Sequence, residues 1–129
     1  MKPLHLLITD DDADKRVLLS RALTHEFPHA SLFECHSGQE ALEFCAKNVV
    51  DAIITNHNMA PVNGIQLVTT LRRCGLTVPI IMVSGHEDMR APALAAGVDL
   101  FLDWSQPTKI GKPIADFLSA RGLRDRKEL

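Results

Sequence analysis

The sequence has no apolar run near the ~18 residues of a membrane span, so the 129-residue chain offers no transmembrane helix. It has only three cysteines, Cys35, Cys45 and Cys74. They lie far apart inside apolar elements and match no zinc spacing. An odd count suits free thiols, buried or partly buried, in a reducing compartment better than a disulfide framework. Net charge is small, −2 at pH 7, which argues against nucleic acid or an anionic membrane as a partner of this domain. There is no internal repeat, no low-complexity segment and no sign of a second domain. The start, Met1-Lys2-Pro3-Leu4, meets an acidic cluster too early for a signal peptide. These absences lead us to expect a single cytoplasmic globular domain, for which 46% apolar residues is ordinary.

What is present is organised around Asp51-Ala-Ile-Ile-Thr-Asn56-His-Asn58-Met59-Ala60-Pro61-Val-Asn-Gly64. Ala52 to Thr55 is an apolar run too short for a helix and bounded by polar residues. It reads as a central strand covered on both faces. Asn56 stands at its carboxyl end, the edge where open α/β sheets bind ligands. Pro61 and Gly64 close the loop as turn formers.

The remaining chain alternates strands and helices. His5 to Thr9 is a strand stopped by Asp10-Asp11-Asp12. One acidic residue there would be a helix cap; three at the end of a buried strand also suit a cation site. Asp14 to about Phe27 repeats apolar residues at helical spacing, and Pro28 stops it. Ser31 to Cys35 is a second strand. Ser37-Gly-Gln-Glu40 has a capping-box pattern opening a helix to about Asn48. After the organising strand, Asn63-Gly64 opens a third helix that ends near Gly75. Pro79 to Val83 is the fourth strand, with Ser84-Gly85-His86 after it. A short helix follows from about Asp88 to Ala96, with Pro92 tolerable only in its first turn. Asp99 to Asp103 is the fifth strand, and Trp104 to Pro107 is irregular. A last helix runs from about Pro113 to Arg121, with Ile114, Phe117 and Leu118 inward. Residues 1–122 form the domain, and the charged tail 123–129 is expected to fray or to begin a linker. Five strands alternating with five helices over short loops imply a parallel sheet with helices on both faces.

The ends of the strands now carry Asp10 and Asp11, Asn56, Ser84 and Trp104. With Gly38-Gln-Glu-Ala-Leu42, Met59, Gly64, Pro79-Ile-Ile-Met-Val-Ser and Ala96-Gly97-Val-Asp-Leu-Phe-Leu102, this order resembles the receiver domain of two-component response regulators along almost the whole chain. The resemblance implies a flavodoxin-like (CheY-like) α/β fold with strand order 2-1-3-4-5, an order of which receivers are a known example. It implies that Asp10 and Asp11 match the acidic pair that holds Mg²⁺. Asn58 matches the residue whose backbone carbonyl reaches that metal. Ser84 matches the hydroxyl that contacts the phosphoryl group, and Phe101 the aromatic that reports to the output face.

Three positions depart from the pattern. Asn56 stands where the family has its phospho-acceptor aspartate, Trp104 where it has a lysine, and Ala60 where a proline is usual. An acyl phosphate needs a carboxylate nucleophile, and a carboxamide cannot serve. An indole removes a cation that balances phosphoryl charge and offers one N–H donor. The expectation is a receiver-like module of a phosphorelay that is not phosphorylated on aspartate, is not an enzyme and holds Mg²⁺ weakly or not at all. It would act through protein contacts over the region 88–121. The resemblance also allows a homodimer.

Other readings stay open. Lys109 or Lys112 could fold back in place of the missing lysine, though surface lysines are usually just solvated. His57 and His86 could join Asp10 and Asp11 as a metal or small-ligand sensor. Ser84 could accept phosphate as a substitute nucleophile, though no base is evident beside it. Trp104 is expected to pack over the pocket.

Overall fold

The computed structural model describes residues 2–127; Met1 and the last two positions of the tail, Glu128 and Leu129, lie outside the described residues. Five parallel strands form one sheet in the order β2-β1-β3-β4-β5. They are β1 (His5–Thr9), β2 (Ser31–Cys35), β3 (Ala52–Thr55), β4 (Ile80–Ser84) and β5 (Leu100–Asp103). The helices between and after them are α1 (Ala13–Glu26), α2 (Gly38–Lys47), α3 (Gly64–Arg73), α4 (Arg90–Ala96) and α5 (Gly111–Ala120). This is the expected doubly covered sheet.

Alternation along each strand divides the core in two. Leu7, Ile53, Ile80, Met82 and Phe101 point to the face covered by α2, α3 and α4, where Ala41, Leu67, Val68 and Ala93 meet them. Leu6, Ile8, Ile54, Ile81 and Val83 point to the opposite face, against Leu19 and Leu23 of α1 and Ile114 and Leu118 of α5. Every residue of β3 and β4 is buried. That is why both strands read as unbroken apolar runs rather than as alternation.

Several local expectations shift. Ser37 accepts from the Glu40 backbone N–H at 3.1 Å, but the Glu40 carboxylate faces His36 at 2.8 Å, so half of the box is used. A reciprocal box forms instead on α3, between Asn63 and Gln66. A 3₁₀ turn, Glu87–Met89, precedes α4, and a second, Pro107–Lys109, precedes α5. Pro92 and Pro113 both fall in the first turn of their helices, where a missing N–H costs nothing. Cys74 is exposed, beyond the last turn of α3, while Cys35 is buried and Cys45 half-buried.

The start of the tail is not frayed. Leu123 packs on the α1–α5 core. The Asp125 carboxylate accepts from the His29 backbone N–H at 2.9 Å and pairs with Nδ1 of its ring at 2.6 Å. Arg126 donates to the Lys2 carbonyl. Charge patterning alone hid these long-range partners.

Candidate functional site

Strand ends bring the expected residues to one edge. Asp10 follows β1 and is fully buried. Its Oδ1 accepts from the Asp12 backbone N–H at 2.9 Å. Its Oδ2 is buried with no hydrogen-bond partner. Burial pushes the Asp10 carboxyl up from its ordinary value of 3.8, and the nearby Lys15 ammonium pulls partly the other way. Asp11 beside it is exposed. Asp12 serves as the N-cap of α1, accepting from Asp14 and Lys15. The acidic run therefore divides its work: one buried carboxylate, one solvated, one cap.

Asn56 follows β3 and is 4% exposed. Its backbone N–H donates to the Thr9 carbonyl at 2.9 Å, which fixes it beside the end of β1. Its amide Nδ2 donates to Asp10 Oδ1 at 3.4 Å and to the Asn58 carbonyl at 3.3 Å. Both neighbours are acceptors only, so the amide nitrogen must face them. Gly64 lets the loop close on this site. A Cβ there would lie 2.3 Å from the Asn56 carbonyl oxygen.

Ser84 ends β4 and is fully buried, its Oγ accepting from the His86 backbone N–H at 3.1 Å. Burial and the neighbouring His86 lower the pKa of His57, while Asp88 opposes the shift. Yet among the described residues no three His, Cys, Asp or Glu side chains gather as a metal cluster. His57, His86, Asp10 and Asp11 are thus not brought together as a ligand set. Lys112 pairs with Asp116 of its own helix at 3.4 Å, and Lys109 is exposed on the turn before α5.

Trp104 is half-buried against the α1–α5 core, and its indole Nε1 is buried without a partner. The Lys15 ammonium lies 5.7 Å from the centre of its ring, within cation–π range. Sequence reasoning missed Lys15. Its only signal was its place in the first turn of α1, directly after the acidic run. Phe101 is 2% exposed in the opposite core. The Arg90 guanidinium covers its ring at 4.9 Å, donates to its carbonyl at 3.1 Å and grips Glu87 through two bonds of 2.6 and 3.1 Å.

The residues that the resemblance assigns to Mg²⁺ do not fit that ion as they stand. Mg²⁺ requires oxygens at about 2.1 Å. Asp10 Oδ1 and the Asn58 carbonyl instead accept from the Asn56 amide nitrogen, at 3.4 and 3.3 Å, and that N–H donor cannot itself ligate the ion. A cavity of about 820 Å³ lies elsewhere, between α1 and the loop leading into α5, lined by Leu18, Ala22, Pro107 and Lys109 among others.

Comparison with known proteins agrees with this architecture. The model of the response regulator receiver domain matches residues 6–109. Transcriptional regulatory protein PrrA of Mycobacterium tuberculosis is 35% identical over 102 residues, covering 75% of this chain and 42% of that protein. The chain spans less than half the length of such curated relatives. A crystal structure of a putative response regulator from Chloroflexus aurantiacus superposes with a TM-score of 0.81 at 27% identity, covering 92% of this chain and 99% of that one. The CheY-like receiver domain protein from Methanospirillum hungatei, at 17% identity and a TM-score of 0.82, covers 94% of this chain and 98% of that one and shows the fold alone.

Proposed function

The chain belongs to the response regulator receiver family, and on that premise we propose that it is a receiver-like signalling module that is not phosphorylated on aspartate and acts through protein–protein contact. The observation that carries this reading is Asn56. It is buried at the end of the central strand, in the place the family gives its nucleophile. A carboxamide is uncharged and its nitrogen lone pair is delocalised, so it forms no acyl phosphate. Trp104, at the position of the family's lysine, supports the same reading, because the cation that would steady a phosphoryl group is absent from that position.

The reading includes a cytoplasmic location and no enzymatic activity. Ser84 is a poor substitute acceptor: its oxygen is fully buried, and no general base contacts it. The partner surface is α4, β5 and α5, within the region 88–121. Arg90 ties α4 to β5 there, through Phe101.

Intact-mass spectrometry after incubation with Mg²⁺ and a small acyl-phosphate donor tests the reading. The expected result is an unchanged mass. A phosphoryl adduct overturns it, and Asn56→Asp is expected to gain the adduct that the wild type lacks.

A further inference from the structure

We propose that the pocket is neutralised from within: the Asn56 carboxamide turns its N–H group onto Asp10 and Asn58, oxygens that the resemblance gives to a divalent cation, and Lys15, held over Trp104, supplies the positive charge. The amide nitrogen donates to both oxygens at once, at 3.4 and 3.3 Å. A Mg²⁺ ion approaching these oxygens would find an N–H there in place of an oxygen ligand. It would also meet the positive edge of an amide.

The charge comes from another element. Lys15 is anchored by its backbone N–H on the Asp12 side chain at 3.3 Å, and its ammonium lies 5.7 Å from the centre of the Trp104 ring. A cation over an indole is held by the ring quadrupole without needing an acceptor. Its field reaches Asp10, whose Oδ2 is fully buried and takes no hydrogen bond. That buried oxygen is therefore met at a distance, by charge, rather than by a ligand. Trp104, which replaces a lysine in the resemblance, becomes the platform for a lysine supplied by α1. The two departures from the family pattern then form one device that keeps divalent cations out.

The inference rests on the receiver reading only for where a cation would sit. The probe is Mn²⁺, titrated into the full chain, with free ion followed by electron paramagnetic resonance and site occupancy by quenching of Trp104 fluorescence. Wild type is expected to bind weakly. Lys15→Met should bind about tenfold more tightly with quenching, as expected for removing one nearby like charge. Lys15→Arg, which keeps the charge, should match wild type. Asn56→Asp should gain about a hundredfold. The inference is overturned if wild type binds as tightly as Asn56→Asp, if Lys15→Met binds no better than wild type, or if its Mn²⁺ fails to quench Trp104. Wild-type binding as tight as that of Asn56→Asp, with an unchanged mass after acyl phosphate, would sink this inference alone. A phosphoryl adduct would sink the receiver reading instead.

Discussion

The two edges of the sheet are finished differently. At the amino edge, a single guanidinium closes the structure. Arg72 donates to the Gly97 carbonyl at 3.1 and 2.9 Å, to the carbonyls of Leu76 and Val78 at 2.9 and 2.8 Å, and to Asp99 at 2.9 Å. Asp99 in turn accepts the Ile80 N–H at 2.9 Å as β4 begins. At the carboxyl edge the Asn56 amide reaches its acceptors only at 3.4 and 3.3 Å. All four buried side-chain atoms without a partner among the described residues, in Thr9, Asp10, His57 and Trp104, lie there. One edge is saturated with short, charge-assisted bonds; the other carries unmet polarity. Native interiors rarely leave such atoms alone. Their concentration at one edge locates the site independently of any motif.

The contrast predicts unequal responses to mutation. Arg72→Ala should be the most damaging, because it strips five bonds and leaves the Gly97, Leu76 and Val78 carbonyls unmet. A loss of about 3 kcal/mol is expected, read from the midpoint of urea unfolding. A loss under about 1 kcal/mol would mean that the amino edge is not the stronger one.

The carboxyl edge should respond with the opposite sign. Burial holds the Asp10 carboxyl above its ordinary 3.8, so the folded chain keeps that proton to higher pH than the unfolded chain does. The resulting stability is fully present below pH 3.8 and is lost as pH rises through the raised value. In metal-free buffer, Asp10→Asn should therefore stabilise the domain at neutral pH by about 1 kcal/mol. The gain over wild type should vanish as pH falls below 3.8. Thermal melts across that range check both the sign and the window. A uniform loss would show that Asp10 supports the fold.

The smallest effect belongs to the tail. Asp125→Asn weakens the clasp on His29, which is partly exposed, and should cost about 0.5 kcal/mol. Faster proteolysis confined to residues 123–127 would be the sensitive readout.

Much of this was legible beforehand. β1 and β3 begin and end where they were expected, because both faces of those strands are covered and their apolar runs stop at charge or turn residues. Asn56 and Ser84 stood out because they are polar residues at the ends of fully apolar strands. The Arg72 clamp was not legible. Its partners are backbone carbonyls up to 25 residues away, and a carbonyl leaves no mark on residue type. Lys15 over Trp104 was hidden for a related reason: the contact joins α1 to the end of β5, and neither periodicity nor spacing relates those segments.

Arg90 has a consequence for kinetics. Its guanidinium lies on Phe101 while holding Glu87 with two bonds. Swinging that ring outward would give up its cation–π contact with Arg90. A partner that selects the inward ring on the proposed face would therefore meet a surface already in that shape. No fraction of encounters is lost waiting for a rarer conformer. Association should follow a single exponential whose rate rises linearly with partner concentration, without a plateau.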